Sequence, residues 1–165
     1  MIPELKALLI QDPHWTLAVA ESLTAGHVQA MLSSVSGSSA YFLGGVTVYS
    51  LEQKIKLLGV DRRAAELVNS VSAEVARQMA LGVLKLFGSD WSIATTGYAE
   101  PAVDPGVAVP FAWWAVAERR GSDVAVETGK IICPNLERIG VQTQVATAAV
   151  AELLVRVRAA RARVT

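Results

Sequence analysis

The chain has 165 residues, with 15 basic and 15 acidic side chains and a formal net charge of zero. That balance leaves no general basic field to attract nucleic acid, and a composition 52% hydrophobic and 18% charged excludes a disordered chain and fits one compact α/β domain over residues 1–165. Cys133 is the only cysteine, and His14 and His27 lack the partners of a structural metal site, so neither a disulfide nor a metal centre is expected. The N-terminus carries no charged-then-apolar signal pattern, and no apolar run reaches about 18 residues. A soluble cytoplasmic protein with no membrane partner is therefore the expectation.

Residues 3–10 read as a short helix with Leu5, Leu8 and Leu9 on one face and Pro3 near its start. Residues 16–20 read as a buried strand that runs into a polar turn carrying Glu21, Ser22 and Thr24, and a helix follows from about 25 to 34. A Gly/Ser turn from Ser36 leads to a strand over residues 45–49, where Gly44 and Gly45 allow close backbone approach or an unusual φ. Residues 51–58 form a short helix closed by Gly59. Tyr49 and Lys54 then sit at a strand end and in the first turns of the next helix. Asp61 caps a short helix to about residue 68, and Ser72 caps the clearest helix, 73–87, with Val75, Met79, Val83 and Phe87 as its stripe. Residues 91–95 read as a short buried strand. Residues 96–109, holding Gly97, Pro101, Pro105 and Gly106, read as a loop; at about fourteen residues it is long for a compact domain, and such loops are usually functional or mobile.

Two apolar runs, 111–117 and 124–132, read as an antiparallel hairpin. Trp113 and Trp114 belong to it, with one of them a candidate for a subunit interface. The last helix spans about 136–163 with Val145, Ala149, Leu153 and Val157 as its stripe, and Arg156, Arg158, Arg161 and Arg163 are read as its solvated end, where positive charge complements the dipole. The sum is helices on both faces of a mixed sheet of about five strands.

The turn after the first strand is the chemically informative stretch. A strand ending in hydroxyls at a helix N-terminus places backbone N–H groups near Thr24 and Gly26, a positive dipole end and a potential nucleophile together. In an open α/β sheet such a strand end is where ligands sit, and this one suits an anionic or carbonyl-bearing ligand. The same residues also fit an ordinary strand-to-helix turn with Ser or Thr as the cap.

The segments Ala20-Glu-Ser-Leu-Thr-Ala-Gly26, Gly37-Ser-Ser39, Gly44-Gly-Val-Thr-Val-Tyr-Ser50 with Lys54, Leu58-Gly-Val60, Val71-Ser-Ala-Glu-Val-Ala76 and Thr96-Gly97 occur in an order and at intervals that resemble the CinA C-terminal domain family, over roughly residues 3–158. The resemblance implies a three-layer α/β/α sandwich, a homodimer or higher oligomer, and nicotinamide mononucleotide deamidase activity within pyridine nucleotide salvage, with no cofactor. It also implies a site: Ser22 as nucleophile, with Tyr49 and Lys54 completing the catalytic set. Thr24, Gly26, Ser39, Gly44, Gly45, Thr96, Gly97 and Arg138 would contact a nicotinamide mononucleotide-like substrate. Amide hydrolysis needs an activated hydroxyl, a base beside it and oxyanion donors, and a desolvated lysine is one such base. Taken singly, Ser22 is equally a helix cap, Ser39 turn chemistry, Tyr49 a ring packed at a strand end and Lys54 a solvated helix residue.

The sequence also departs from the family pattern. Glu100 stands where a glycine is expected, Tyr98 replaces an aliphatic residue, and Ala102, Val103 and Asp104 replace a glycine run. A lysine of that loop is missing; Arg138 matches one family arginine, and Gln142 takes the place of another. Two readings follow: an amidohydrolase built on Ser22, Tyr49 and Lys54, or a divergent CinA-like paralogue that binds a nucleotide or protein partner without catalysis.

Overall fold

The computed structural model describes residues 1–104 and 106–164; Pro105 of the expected loop and Thr165 lie outside the described residues. The elements in chain order are α1 (Ile2–Leu9), β1 (Leu17–Glu21), α2 (His27–Ser33), β2 (Phe42–Thr47), α3 (Leu51–Leu58), α4 (Arg62–Glu66), α5 (Ala73–Phe87), β3 (Trp91–Tyr98), β4 (Phe111–Arg120), β5 (Asp123–Ile132) and α6 (Arg138–Val164). A turn of 3-10 helix, Ser38–Ala40, precedes β2. The strands form one five-stranded mixed sheet in the order β2-β1-β3-β4-β5. Within it β2, β1 and β3 run parallel, while β4 and β5 pair antiparallel beyond β3.

Alternation along the strands divides the core between the two faces. Leu17, Val19, Trp91 and Ile93 turn to one face and pack with Leu5, Leu9, Val28, Leu32, Leu153 and Val157 of α1, α2 and α6. Ala18, Ala20, Ala94, Ala115 and Ala117 turn to the other, under Val75, Met79 and Val83 of α5. The result is a three-layer α/β/α sandwich. The second face is lined mainly by alanine, so α5 lies close on the sheet. Close approach recurs between α5 and α3, where a Cβ added at Gly82 would lie 2.2 Å from the Leu58 carbonyl oxygen.

Several boundaries differ from expectation for identifiable reasons. The first strand is displaced by one residue: the Thr16 N–H and hydroxyl both donate to Asp90 Oδ2, at 2.8 and 2.7 Å, while its carbonyl accepts from the Trp91 N–H at 2.9 Å. Strand β2 begins at Phe42 and ends at Thr47, so Tyr49 lies beyond it. Strand β3 continues through Tyr98 because Thr96, Gly97 and Tyr98 pair with Trp113, Ala112 and Phe111. Gly97 permits that pairing, since a Cβ there would meet the Phe111 carbonyl oxygen at 2.4 Å.

The C-terminal arginines are not uniformly solvated, which corrects that expectation. Arg161 is buried, with its guanidinium 3.5 Å from the centroid of the Trp15 ring. It donates to the carbonyls of Leu8 (2.7 Å) and Pro13 (2.7 Å), and so ties the end of α6 to the chain that leaves α1. Among the described residues no helix is long and apolar enough to cross a membrane.

Candidate functional site

The parallel strands β1 and β3 end side by side, and the chain after β2 passes next to them, held by the Val48 N–H to the Glu21 carbonyl at 2.8 Å. Together with the α4–α5 turn, the segment after β3 and the start of α6, these ends enclose a cavity of about 470 Å³. This is the carboxyl edge of the parallel strands, where α/β sheets hold ligands.

Glu21 organises the floor. Its carboxylate is fully buried and accepts from the backbone N–H groups of Gly26 (3.0 Å), Val28 (3.1 Å) and Gln29 (2.9 Å). It caps α2 from five or more residues upstream, so neither Ser22 nor Thr24 is the cap, and Gly26 occupies that position at φ 103° with no side-chain bond. The N–H groups of Ala25 and His27 go to the carbonyls of Ser22 and Thr24. The N–H groups of Ala25, Gly26 and His27, among those expected to receive an anion, are therefore spent on the protein itself, and the α2 dipole already faces a carboxylate.

Ser22 follows Glu21 and is only 7% exposed; its N–H donates to the Thr95 carbonyl at 3.0 Å. Lys54 reaches it from α3. Ser50 caps that helix by accepting from the Gln53 N–H, which sets Lys54 one turn in with its side chain leaning back toward the N-terminus. Lys54 is 2% exposed, and its Nζ donates to Ser22 Oγ at 2.9 Å and to the Tyr49 carbonyl at 3.2 Å. Burial lowers its pKa from 10.5 to about 8. Among the described residues no carboxylate forms an ion pair with it.

The mouth is built differently. Tyr49 is 57% exposed, and its hydroxyl accepts from Arg138 Nη2 at 2.5 Å. The other arm of that guanidinium, Nη1, meets Glu100 Oε1 at 2.7 Å. On the far wall the Tyr98 hydroxyl accepts from Asn69 Nδ2 at 3.1 Å, and its ring packs edge-on against Phe111 at 5.5 Å. Thr96 Oγ1 donates to the Ser70 carbonyl at 2.8 Å and so fixes the α4–α5 turn. In that turn Asn69 and Ser70 both adopt positive φ, 48° and 61°.

Of the residues singled out from sequence, Ser22, Tyr49, Lys54, Thr96, Gly97 and Arg138 line this cavity. Thr24 lies behind it, fully buried, its hydroxyl 2.7 Å from that of Thr95. Gly26 serves the α2 cap, and Gly44 and Gly45 lie within β2 against Phe87 and Gln29. Ser39 is exposed on the 3-10 turn, away from the cavity lining. Gln142 is buried in α6 and is not part of the lining either. Sequence reasoning missed Asn69, Ser70 and Glu66 on the α4–α5 side of the wall. Only the Asn-Ser pair left a signal there, as a turn residue tolerant of positive φ.

A family model described as the CinA C-terminal domain matches residues 2–157. A CinA-like protein of Picosynechococcus is 50% identical over 96 residues, 58% of this chain and 23% of that protein, and one of Thermosynechococcus vestitus is 50% identical over 95 residues, with the same shares. The chain thus aligns with about a quarter of the length of these curated relatives. Among solved structures, the competence or damage-inducible protein of Enterobacter asburiae superposes with a TM-score of 0.86 at 27% identity, covering 94% of this chain and 95% of that one. The competence damage-inducible protein A of Klebsiella pneumoniae gives 0.83 at 30% identity, covering 93% and 92%.

These matches correct the expectation of a nicotinamide mononucleotide deamidase. They fall on the C-terminal domain of CinA and on proteins named for competence or damage induction, and they favour the alternative in which the domain binds without catalysis. The hydrolase and pyridine-salvage assignments fall with it. At the site Lys54 Nζ donates to Ser22 Oγ, and the Tyr49 hydroxyl is bound to Arg138. The Glu21 carboxylate, adjacent in sequence, is consumed by three backbone amides. The chain belongs to the CinA C-terminal domain family.

Proposed function

We propose that this chain is a non-catalytic binding domain whose cavity at the ends of β1 and β3 holds a nucleotide-sized ligand by an anionic group placed on Lys54. The observation that carries this reading is Lys54 itself, a lysine 2% exposed, set against a cavity and neutralised by no carboxylate among the described residues. Burying an unpaired ammonium is costly, and an anion delivered to it recovers much of that cost. The volume of about 470 Å³ falls within the range of small-molecule sites. Tyr49 and Tyr98 offer aromatic faces for a planar ring, and Asn69 and Ser70 offer polar contacts. Residues 2–157, the span of the family match, support treating the chain as a single CinA C-terminal-like domain.

Calorimetric titration of the protein with a nucleoside monophosphate tests the reading. Binding is expected near pH 7, weaker by about tenfold or more in Lys54→Met, the range of a hydrogen bond to a charged group. It is also expected to weaken as pH rises through about 8, where Lys54 loses its charge. Binding that is indifferent to both changes, or no binding at millimolar nucleotide, refutes it.

A further inference from the structure

The cavity holds a second cation whose charge is already engaged. Lys54 and Arg138 are the two basic residues among the described lining, and they sit at opposite ends of one residue: Lys54 on the Tyr49 carbonyl, Arg138 on the Tyr49 hydroxyl. A second anionic group of a ligand held on Lys54 would fall to Arg138. Arg138 is not free to receive one, because Nη1 is 2.7 Å from Glu100 Oε1. Glu100 therefore occupies the place that a second anionic group of a ligand would take. The pair is solvent-exposed, with side-chain exposures of 42% for Arg138 and 60% for Glu100. An ion pair of that kind is weak and exchangeable, so it biases the site without sealing it.

We propose that Glu100 sets the selectivity of the cavity: by holding the Arg138 guanidinium it leaves Lys54 as the one available anion anchor, so ligands with a single anionic group are accepted and those with two separated anionic groups are disfavoured. The proposal rests on the reading of the cavity as an anion-binding site. Removing the Glu100 charge frees the Nη1 arm of Arg138 and also removes a like charge from beside the incoming anion. Both effects act at an exposed position and are screened at physiological salt, so together they amount to about five- to tenfold in affinity.

The test uses the full chain and two probes, orthophosphate and pyrophosphate, titrated calorimetrically at constant ionic strength. Glu100→Gln is expected to tighten pyrophosphate by about five- to tenfold and orthophosphate by less than about twofold. Adding Arg138→Gln to that variant is expected to abolish the gain. An equal gain for both anions, a gain that survives the loss of Arg138, or no gain for pyrophosphate overturns the proposal. Lys54→Met separates it from the reading beneath it. Loss of orthophosphate binding in that variant without any Glu100 effect removes the selectivity and keeps the anchor. Orthophosphate binding untouched by Lys54→Met, together with an Arg138-dependent Glu100 gain, removes the anchor and keeps the selectivity.

Discussion

Replacing Lys54 by methionine should make the protein more stable and less able to bind. Methionine keeps the length of the aliphatic stem and removes the amine. A pKa lowered by burial from 10.5 to about 8 corresponds to roughly 3 kcal/mol by which the fold disfavours the charged lysine. The sign follows from proton counting. Between about pH 8 and 10.5 the unfolded chain binds the proton and the folded chain releases it, so wild-type stability rises with pH across that window. Below about pH 8 both states are protonated and the whole penalty is present; above about 10.5 both are neutral and it is gone. The variant forfeits the bonds to Ser22 and to the Tyr49 carbonyl, worth about 1 kcal/mol each. At pH 7 Lys54→Met should therefore be more stable by about 1 kcal/mol, and the difference should reverse by about pH 10.5, where the penalty is gone and only the lost bonds remain. Urea denaturation of both proteins in parallel from pH 6 to 10.5 measures this, because other titrating groups cancel in the difference. A variant less stable at pH 7, or a difference flat across pH 8 to 10.5, would refute the reasoning.

Three further outcomes are expected. Gly82→Ala places a methyl 2.2 Å from the Leu58 carbonyl oxygen, which is backbone and cannot swing aside; forcing α3 from α5 should cost about 2–3 kcal/mol and lower Tm by roughly 5–10 °C in a thermal scan. Glu21→Gln keeps the shape of the α2 cap but removes the charge that three N–H groups share; a loss of about 1–3 kcal/mol is expected, with faster hydrogen exchange at Val28 and Gln29. Arg161→Lys should cost about 1–3 kcal/mol in denaturant, because an ammonium cannot both stack on Trp15 and reach the carbonyls of Leu8 and Pro13.

The layers were legible because each rests on a local signal. The caps Ser50, Asp61 and Ser72 and the closing glycines Gly59 and Gly88 act within one turn of their helices, and those boundaries were placed well from sequence. What sequence missed depends on partners far along the chain. Gly97 and Tyr98 look like loop until β4 is present to pair with them. Arg161 looks like a solvated end until the carbonyls at residues 8–13, more than 140 positions away, come to meet it. Glu21 reads from sequence only as part of a polar turn, yet its carboxylate caps α2.

The site divides along the same line. Ser22, Tyr49 and Lys54 line one cavity, but the phenol and the amine do not meet in it: Lys54 Nζ donates to the Tyr49 carbonyl, while the Tyr49 hydroxyl turns to Arg138 at the mouth. What that assembly does was misread, and the reason is ownership of protons and charges. An amine beside a hydroxyl resembles a base beside a nucleophile in a motif, whereas here the amine is the donor and the nearest carboxylate serves a helix. The arrangement is consistent as an anion receptor. A buried cation that weakens the fold by a few kcal/mol is tolerable when a ligand relieves it, since binding then recovers what folding gave up. Glu100 follows from that logic at the mouth. With the inner charge left unpaired, pairing the outer one biases the cavity against polyanions without closing it to them.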